Sequence, residues 1–385
     1  MSASRRDPSA SSPLRIAHVS AETGFSGGEV QVFLLMEGLR ARGHGNLLIC
    51  PPRSRAAARA RERGFDTACL RMPSELSPTA VLRIARLLRA AGPDVVHCHT
   101  GRANWPGGIA ARYAGLPALS TRRMDRRVKR GPRTRLLYGC LLRRVAAISP
   151  AVVRRLREAR VPEARIRLVW SAVDPAALRP SAPRDAVRAR LGAPADARCL
   201  LVAANLVHRK GIDVLLSALA QVAAAELWIA GEGPERPVLE AQAQRSGLGG
   251  RVRFLGGRDD VPDLLEACDA FVLPSRQEGL GVAALEAMAR GRAVVASAVG
   301  GLAELVHDEE TGLLVPPDDA PALAGALARL VADPALAERL GAAGARRVEA
   351  SFRPDAMVTS YEALYREILD EARGDDIRAD GAERR

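Results

Sequence analysis

The sequence predicts an α/β protein made of two doubly wound domains, each a parallel sheet with helices on both faces. Its 385 residues are enough for two domains that each bury a core of their own. Short apolar runs alternate with helical patterns along both halves of the chain, as in parallel sheets that are covered on both faces. Because no shorter repeat is present, the repetition is of whole domains.

Each half contains six candidate strands separated by segments with helical periodicity. In the first half they lie at 14–20, 46–50, 67–70, 94–98, 118–121 and 145–149. In the second half they lie at 199–204, 226–230, 251–255, 270–273, 293–297 and 312–315. After the last strand, helices are predicted at 320–332, 334–349 and 354–371.

The domain boundary is predicted near residue 180, with an N-terminal domain at 14–180 and a C-terminal domain at 181–353. The connection is assigned to the proline-rich segment 174–194, because proline interrupts both helices and strands. The helix at 354–371 is expected to pack back on the N-terminal domain.

The composition favours a cytosolic enzyme. No run of about 18 apolar residues occurs, so no membrane span is predicted. The polar leader 1–13 lacks the apolar region of a signal peptide, and it and the polar tail 372–385 are predicted to be disordered. The six cysteines lack the spacing of metal ligands, so we expect reduced thiols, with neither a zinc site nor a disulfide framework.

The net charge of +13 is divided unevenly along the chain. Residues 1–180 carry 33 Lys and Arg against 12 Asp and Glu, whereas the remainder carries 24 against 32. A cationic half favours an anionic partner, such as nucleic acid, acidic lipid headgroups or a phosphorylated acceptor. Nucleic acid ranks behind the others, because 3% aromatic residues leave little for base stacking. The densest basic segment, 122–144, either binds an anionic membrane or a phosphorylated glycolipid core, or is a solvated loop and helix; these interpretations stay open.

Two loops at the ends of predicted strands have features of phosphate sites. Gly27 and Gly28 follow the first strand and open a long helix, whose free N–H groups suit a phosphate. Lys210 and its neighbour Arg209 precede Gly211 at another helix start. Positive charge is slightly unfavourable there, so an anionic ligand is the better explanation.

The stretch "SRQEGLGVAALEAMARG" at 275–291 contains two carboxylates on either side of a glycine turn. Glu278 is expected in the loop after a strand, and Glu286 about a turn and a half inside the following helix. Two hydrogen-bond acceptors that flank free N–H groups suit a sugar, a diphosphate and a ribose in a row. A catalytic acid and base, as in glycoside hydrolases, is the competing interpretation.

The motifs of residues 201–318 resemble the C-terminal domain of retaining family 4 glycosyltransferases of GT-B fold. The matching runs are "RKG", "IAGEGPERPVLE", "RVRFLGGRDDVPDLLEACDAFVLPS", the E-x7-E of the two glutamates, "EAMARGRAVVAS" and "GGLAELVHDEETGLLVPPDD". The first half is similar less specifically, through "GGE", "RGH", "DVVHCH" and "AAISPAV". The resemblance covers about 15–371 and implies two Rossmann-like domains that face a central cleft.

The resemblance implies a role for each residue of the glutamate motif. Glu286 matches the glutamate that holds the ribose hydroxyls of the nucleotide. Glu278 matches the glutamate that contacts hydroxyls of the donor sugar, and the backbone of Gly279, Leu280 and Gly281 then lies beside the sugar and the β-phosphate.

The resemblance also assigns the residues that contact the diphosphate. Lys210 matches the lysine that neutralises it, and Gly27 and Gly28 match the loop that approaches it from across the cleft. Asn205 stands where the family usually has an arginine, so Arg209 is expected to supply that charge.

One further departure concerns the family histidine near the donor sugar, which aligns with Arg123. Because arginine cannot act as a base, Arg123 is expected to act electrostatically or in acceptor binding. A metal site at the "HCH" of residues 97–99 is not expected without a third ligand.

The resemblance thus implies a retaining transfer of sugar from a nucleotide diphosphate sugar to an acceptor hydroxyl, in the synthesis of envelope glycolipid, lipopolysaccharide or exopolysaccharide. The alternatives are a nucleotide-sugar epimerase or hydrolase of the same fold and, ranked lower, a nucleic-acid-binding protein. No DxD motif occurs, so no metal or other cofactor is expected. The expected partners are a nucleotide sugar and a glycan or glycolipid acceptor, with cytosolic or peripheral membrane location.

Overall fold

In the computed structural model, the chain forms two compact domains of parallel sheet. The structure describes residues 12–24, 26–194, 197–223 and 225–383, with side chains described up to residue 374. The first domain comprises Met1–Trp170 with Pro354–Arg385, and the second comprises Ser171–Arg353. The predicted pair of doubly wound α/β domains is therefore confirmed, whereas most of the predicted leader lies outside the described residues.

The first sheet has seven parallel strands in the spatial order β3-β2-β1-β4-β5-β6-β7. They are β1 (Arg15–Val19), β2 (Gly45–Cys50), β3 (Asp66–Cys69), β4 (Val95–Cys98), β5 (Ala118–Arg122), β6 (Arg144–Ala147) and β7 (Ile166–Leu168). The order reverses between β1 and β4, which is where open α/β sheets bind ligands at the carboxyl ends of their strands.

The helices of the first domain begin at that carboxyl edge. They are α1 (Gly27–Ala41), α2 (Arg55–Glu62), α3 (Pro78–Ala91), α4 (Gly101–Tyr113), α5 (Pro132–Leu136) with a π-helical turn at Leu137–Leu141, and α6 (Pro150–Glu158). Five of them start with a Ser or Thr whose side chain accepts a hydrogen bond from an N–H of the first turn: Ser26, Ser54, Ser77, Thr100 and Ser149. These N-caps fix where the helices begin relative to the strands.

The second sheet has six parallel strands in the order β10-β9-β8-β11-β12-β13. They are β8 (Arg198–Ala203), β9 (Ala225–Ala230), β10 (Val252–Gly256), β11 (Ala270–Leu273), β12 (Ala293–Ser297) and β13 (Leu313–Val315). Its helices are α7 (Arg184–Leu191), α8 (Ile212–Leu219), α9 (Arg236–Arg245), α10 (Val261–Ala267), α11 (Val282–Ala289), α12 (Leu302–Leu305), α13 (Ala320–Ala332) and α14 (Pro334–Ser351).

All twelve predicted strands are present, and the sequence missed only β7 among the thirteen that the structure describes. This strand has three residues, and Arg167 at its centre interrupts the apolar run that would have indicated it.

The predicted connection at 174–194 is wrong in two respects. The domain boundary lies at residue 170, and the segment belongs to the second domain. It also contains α7, which begins directly after Pro183 and ends at Gly192 in the left-handed conformation. The prolines therefore flank this helix instead of interrupting it, and its Arg188 pairs with Asp269 at 2.7 Å.

The C-terminal helix α15 (Pro354–Glu383) belongs to the first domain, where the sequence places it, and packs against α1. Tyr365 is buried, and Glu367 pairs with Arg144 at 2.8 Å. The helix continues to Glu383, so the disorder predicted from residue 372 is wrong up to that point. No proline follows 354, and extending an existing helix costs far less than starting one.

No single helix among the described residues has both the length and the apolar character of a membrane span. Ala320–Ala332 and Pro334–Gly374 meet these criteria only as a pair, and they are bent by 103° at the break between them. All six cysteines are free in the structure, and Cys69 and Cys140 are exposed.

Candidate functional site

A tight turn after β8 places Lys210 at the carboxyl edge of the second sheet. Residues His208–Lys210 form a 3-10 turn, and Gly211 then adopts φ 65° before α8. A Cβ at Gly211 would lie 2.0 Å from the carbonyl oxygen of Pro274, so only glycine fits there. This close approach brings the turn against the loop that follows β11.

The two charged residues of highest interest in the sequence form an ion pair. Lys210 Nζ donates to Glu278 Oε2, and both side chains are nearly buried, with 12% and 13% of their surface exposed. Ser275 Oγ donates to the same carboxylate oxygen at 3.3 Å. The predicted phosphate-binding cation and sugar-binding carboxylate therefore occupy one site and neutralise each other.

Arg276, which the sequence analysis did not single out, ties this site together. Its guanidinium binds both carboxylate oxygens of Asp213 at 2.8 and 2.6 Å and reaches Asp318 at 2.6 Å. It also donates to the carbonyl oxygen of His208 at 2.7 Å. Hydrogen bonds to Asp213 raise the pKa of Arg276 above its ordinary value, so this fixed charge joins the turn, α8 and the loop after β11.

The glycine loop before α11 is buried along Gly279, Leu280 and Gly281. The side chain of Leu280 is 1% exposed, and Gly281 has φ 93°. Gly301 N–H donates to the carbonyl oxygen of Glu278 at 3.2 Å, and a Cβ at Gly301 would lie 2.2 Å from the carbonyl oxygen of Gly279. The Gly-Gly at 300–301, which opens one of the runs that carry the family resemblance, thus packs the loop closely against α12.

Glu286 lies on the fifth residue of α11, as predicted, with an unusual carboxyl group. Burial raises its pKa to about 7, and no hydrogen bond or ion pair joins it to another described residue. An uncompensated buried carboxylate is costly, and ligand hydroxyls that donate to it would remove part of that cost.

The two remaining candidates of the second domain are less constrained. Asn205 is exposed, and its carbonyl oxygen accepts from Val207 N–H at 2.9 Å. Arg209 is partly buried, and its carbonyl oxygen accepts from Arg276 N–H at 2.8 Å. Its guanidinium makes no ion pair with the described residues, so it is available to an anion.

In the first domain, the predicted residues Gly28 and Arg123 lie together. Gly27 and Gly28 form the start of α1, where Ser26 and Glu29 make a capping box. A Cβ at Gly28 would lie 3.6 Å from Arg123 Cδ, so the arginine passes directly over the helix start.

Arg123 is held by a chain of buried histidines. It donates to the His99 carbonyl oxygen at 2.8 Å and lies 3.3 Å from His99 Nδ1. His99 Nε2 lies 2.9 Å from His18 Nδ1, and His18 Nε2 lies 2.9 Å from Asn46 Oδ1. The amide nitrogen of Asn46 donates to backbone carbonyls, so its oxygen must accept from His18. Every link then donates in the same direction, from Arg123 to Asn46, with both imidazoles neutral.

His18 also supplies the third histidine that the sequence analysis found missing for a metal site. One nitrogen each of His18, His97 and His99 lies within 4.8 Å of the others. However, both nitrogens of His97 already bind the hydroxyls of Tyr365 and Thr121, at 2.8 and 2.7 Å. Burial lowers the pKa of His18 to about 4 and those of His97 and His99 well below the ordinary value. The geometry fits a neutral hydrogen-bonded support for Arg123 better than a metal centre.

Two protein-family models match the chain, one in each half. The model "Glycosyltransferase Family 4" matches residues 25–177, and the model "Glycosyl transferases group 1" matches residues 183–347. The gap between the matches lies close to the boundary between the two domains.

Characterised bacterial proteins are similar to this chain. The lipopolysaccharide core biosynthesis glycosyltransferase LpsE of Rhizobium meliloti is 38% identical over 177 residues, which cover 46% of this chain and 52% of LpsE. The match thus spans about half of that relative. The alpha-D-kanosaminyltransferase of Streptomyces kanamyceticus is 30% identical over 313 residues, which cover 75% of this chain and 81% of that enzyme.

Among solved structures, HepE of Anabaena, in complex with UDP and glucose, superimposes with a TM-score of 0.81 at 22% identity. The match covers 92% of this chain and 100% of HepE. This likeness confirms the predicted fold class.

Proposed function

The chain belongs to the family 4 glycosyltransferases, and from this we propose that it transfers a sugar from a nucleotide diphosphate sugar to an acceptor hydroxyl with retention at the anomeric carbon. The observation that carries the proposal is the nearly buried Lys210–Glu278 pair, beside a glycine loop and close in sequence to the half-buried Glu286, whose pKa is raised. The similarity to LpsE supports a role in envelope glycan synthesis.

Departure of the diphosphate is the step that this site is built to assist. The bond between the anomeric carbon and the phosphate oxygen breaks, and the diphosphate takes the electron pair. Lys210, with Arg209 beside it, supplies the positive charge that stabilises this developing anion, together with the N–H groups of Leu280 and Gly281. The acceptor oxygen forms the new bond on the same face, and its proton passes to the leaving phosphate.

The other contacts with the nucleotide sugar are assigned to side chains that can form hydrogen bonds with it. Glu286 accepts hydrogen bonds from the ribose hydroxyls, and Glu278, once the diphosphate takes over Lys210, accepts them from the donor sugar. Asn205, two residues after β8, offers an exposed amide for an oxygen of the nucleotide.

In the first domain, Gly27 and Gly28 permit a phosphate or sugar to approach the N–H groups of α1. Arg123 cannot take a proton from the acceptor, so its role is to place a fixed positive charge beside this helix start.

In this proposal, the cations of Lys210 and Arg209 take the place of a divalent metal. We therefore expect turnover to persist in excess EDTA, with a rate unchanged within error. A rate that falls in EDTA and returns on addition of Mg²⁺ or Mn²⁺ contradicts this part of the proposal.

The acceptor is a glycan or glycolipid, and we place the enzyme at the inner face of the cell membrane. Met124 and Leu136 are 44% and 46% exposed in the basic segment 122–144. The same segment exposes six cationic side chains: Arg126, Arg127, Lys129, Arg130, Arg133 and Arg135. Exposed apolar groups among cations suit an anionic lipid surface.

Vesicle pelleting tests this location. Pelleting should require anionic lipid, weaken as salt is raised, and fall when Arg126 and Arg127 are both changed to Gln. Arg112→Gln, an exposed arginine at the end of α4, is the control and should pellet like the native protein. Equal pelleting on neutral vesicles contradicts membrane docking by charge.

The transfer itself is tested by screening nucleotide sugars, UDP-sugars first because HepE is described with UDP and glucose. Release of the nucleotide together with a glycosylated acceptor, identified by mass spectrometry, supports the proposal. Epimerisation or hydrolysis that proceeds at full rate without an acceptor would instead establish one of the two alternative activities.

A further inference from the structure

A cavity of about 460 Å³ opens at the edge of the first sheet, on the carboxyl side of β3. It lies between the segment that follows β3 and the outer face of α3. Its lining consists of Pro52, Cys69, Leu70, Arg71, Arg83, Arg86 and Leu87. Three of these seven described residues are arginines, and none of the seven carries a carboxylate.

The three arginines converge because of where they stand in the sequence. Arg83 and Arg86 are three residues apart on α3 and so share one helix face, while Arg71 follows β3 directly. A fourth guanidinium reaches the cavity wall, because Arg61 donates to Cys69 Sγ at 3.0 Å.

The guanidinium groups of Arg71, Arg83 and Arg86 make no hydrogen bond or ion pair with any described residue. Other arginines of the first domain do find partners: Arg133 binds Glu75 at 3.4 Å, and Arg15 binds Asp66 at the same distance. No ion pair with a described acidic side chain compensates the positive charge of the three arginines at the cavity.

Three like charges around one cavity repel each other, and an anion between them removes that repulsion. Phosphate matches the planar fork of guanidinium, which can donate two hydrogen bonds to it at once. The apolar floor of Leu70 and Leu87 excludes some water and so strengthens these contacts.

We propose that this cavity binds a phosphate group carried by the acceptor. Its description as an acceptor subsite rests on the proposed function, whereas the affinity for phosphate does not. The phosphate belongs either to a phosphorylated sugar or to a lipid headgroup. Leu82, next to Arg83 on α3, is exposed and can contact an apolar part of the same ligand.

The test uses a full-length triple variant in which Arg71, Arg83 and Arg86 are all changed to Gln. The control is Arg112→Gln, the same type of substitution at an arginine outside the cavity. These side chains are exposed, so thermal unfolding of both variants should match that of the native protein. Titration with glucose 6-phosphate, and with glucose as the uncharged control, reports the sugar-phosphate source. Pelleting with phosphatidic acid in phosphatidylcholine vesicles reports the lipid source.

The expected result is binding of one phosphate probe that weakens by about tenfold or more in the triple variant and stays unchanged in Arg112→Gln. Loss for glucose 6-phosphate identifies a phosphorylated glycan, and loss for phosphatidic acid alone identifies a lipid headgroup. The proposal is overturned if neither probe binds, or if the triple variant binds like the control.

Measuring UDP affinity on the same proteins distinguishes a failure of the transferase proposal from a failure of the phosphate-cavity proposal. This affinity should be equal in the native chain and the triple variant, because none of the three arginines is assigned to the nucleotide. Absence of UDP binding would count against the proposed transferase function whatever the cavity does, and intact UDP binding with no phosphate effect would count against the cavity alone.

Discussion

The raised pKa of Glu286 predicts how the UDP affinity of the proposed donor site changes with pH. Burial raises its pKa to about 7, so part of the population carries a proton at neutral pH. In the proposed donor site, ribose hydroxyls donate to the ionised form, so nucleotide binding is expected to lower this pKa and release a proton. UDP affinity should therefore rise with pH between about 6 and 8, by at most about tenfold per unit, and level off above.

Calorimetric titrations in buffers of different ionisation enthalpy measure both the affinity and the released proton. Glu286→Gln keeps the shape of the side chain but cannot ionise, so it should bind UDP more weakly and with no such slope. The same slope in Glu286→Gln would assign the titration to another group.

The Lys210–Glu278 pair predicts opposite effects for its two members. Lys210→Ala removes the cation for the diphosphate and should lower UDP affinity, with a loss of about 100-fold or more in kcat. Glu278→Gln frees Lys210 from its partner, so UDP affinity should hold or increase while sugar transfer falls. Unchanged UDP affinity in both Lys210→Ala and Glu286→Ala would refute the assignment of the donor site.

The sequence alone indicates Lys210, Glu278 and Glu286, because their motifs are local. It does not indicate the roles of Arg276 and His18. Arg276 acts through Asp213 and Asp318, which lie 63 and 42 residues away, and His18 meets His99 across 81 residues. Such contacts depend on which loops the fold brings together, and one sequence carries no signal of them.

At the scale of elements, Gly211 links the turn that carries Lys210 to the end of β11. Gly211→Ala should destabilise the protein by roughly 2 kcal/mol or more, since its Cβ would lie 2.0 Å from the Pro274 carbonyl oxygen. It should also weaken UDP binding, because the turn must move. Urea unfolding and UDP titration measure the two effects.

Gly247→Ala is a matched control for this substitution. Gly247 has φ 69°, almost the same as the 65° of Gly211, but a Cβ there meets nothing within 4 Å. It should therefore show only the intrinsic cost of the left-handed conformation, about 1 kcal/mol, with normal UDP affinity. Equal losses in the two variants would mean that the contact with Pro274 has no energetic importance.

Helices and strands could be predicted from the sequence where their own residues determine the structure. The strand β11 is buried along its whole length and reads as a continuous apolar run, and β4 is equally buried and apolar except at His97. β7 and α7 were missed because their identity depends on neighbours: β7 pairs with the edge of a sheet, and α7 is stabilised by Asp269 from a distant segment.

At the scale of the whole molecule, the uneven charge agrees with the proposed division of tasks, in which the first domain binds the acceptor and the second binds the nucleotide. The excess of Lys and Arg lies in residues 1–180, which supply the arginine cavity and the basic segment, whereas 181–385 carries more acidic than basic residues. Raising salt should thus weaken acceptor-phosphate and vesicle binding more than nucleotide binding, whose contacts include buried groups.

This division predicts where a nucleotide slows amide hydrogen exchange. Lys210, Glu278 and Glu286 all belong to the second domain, so UDP should protect α8, the loop at 274–281 and α11. The edge of the first sheet at β3 and α3 should exchange as in the free protein, because no donor residue is assigned there. Exchange measured by mass spectrometry with and without UDP provides the test, and Lys210→Ala should lose the protection. Protection confined to β3 and α3 would place the nucleotide in the arginine cavity and contradict the assigned donor site.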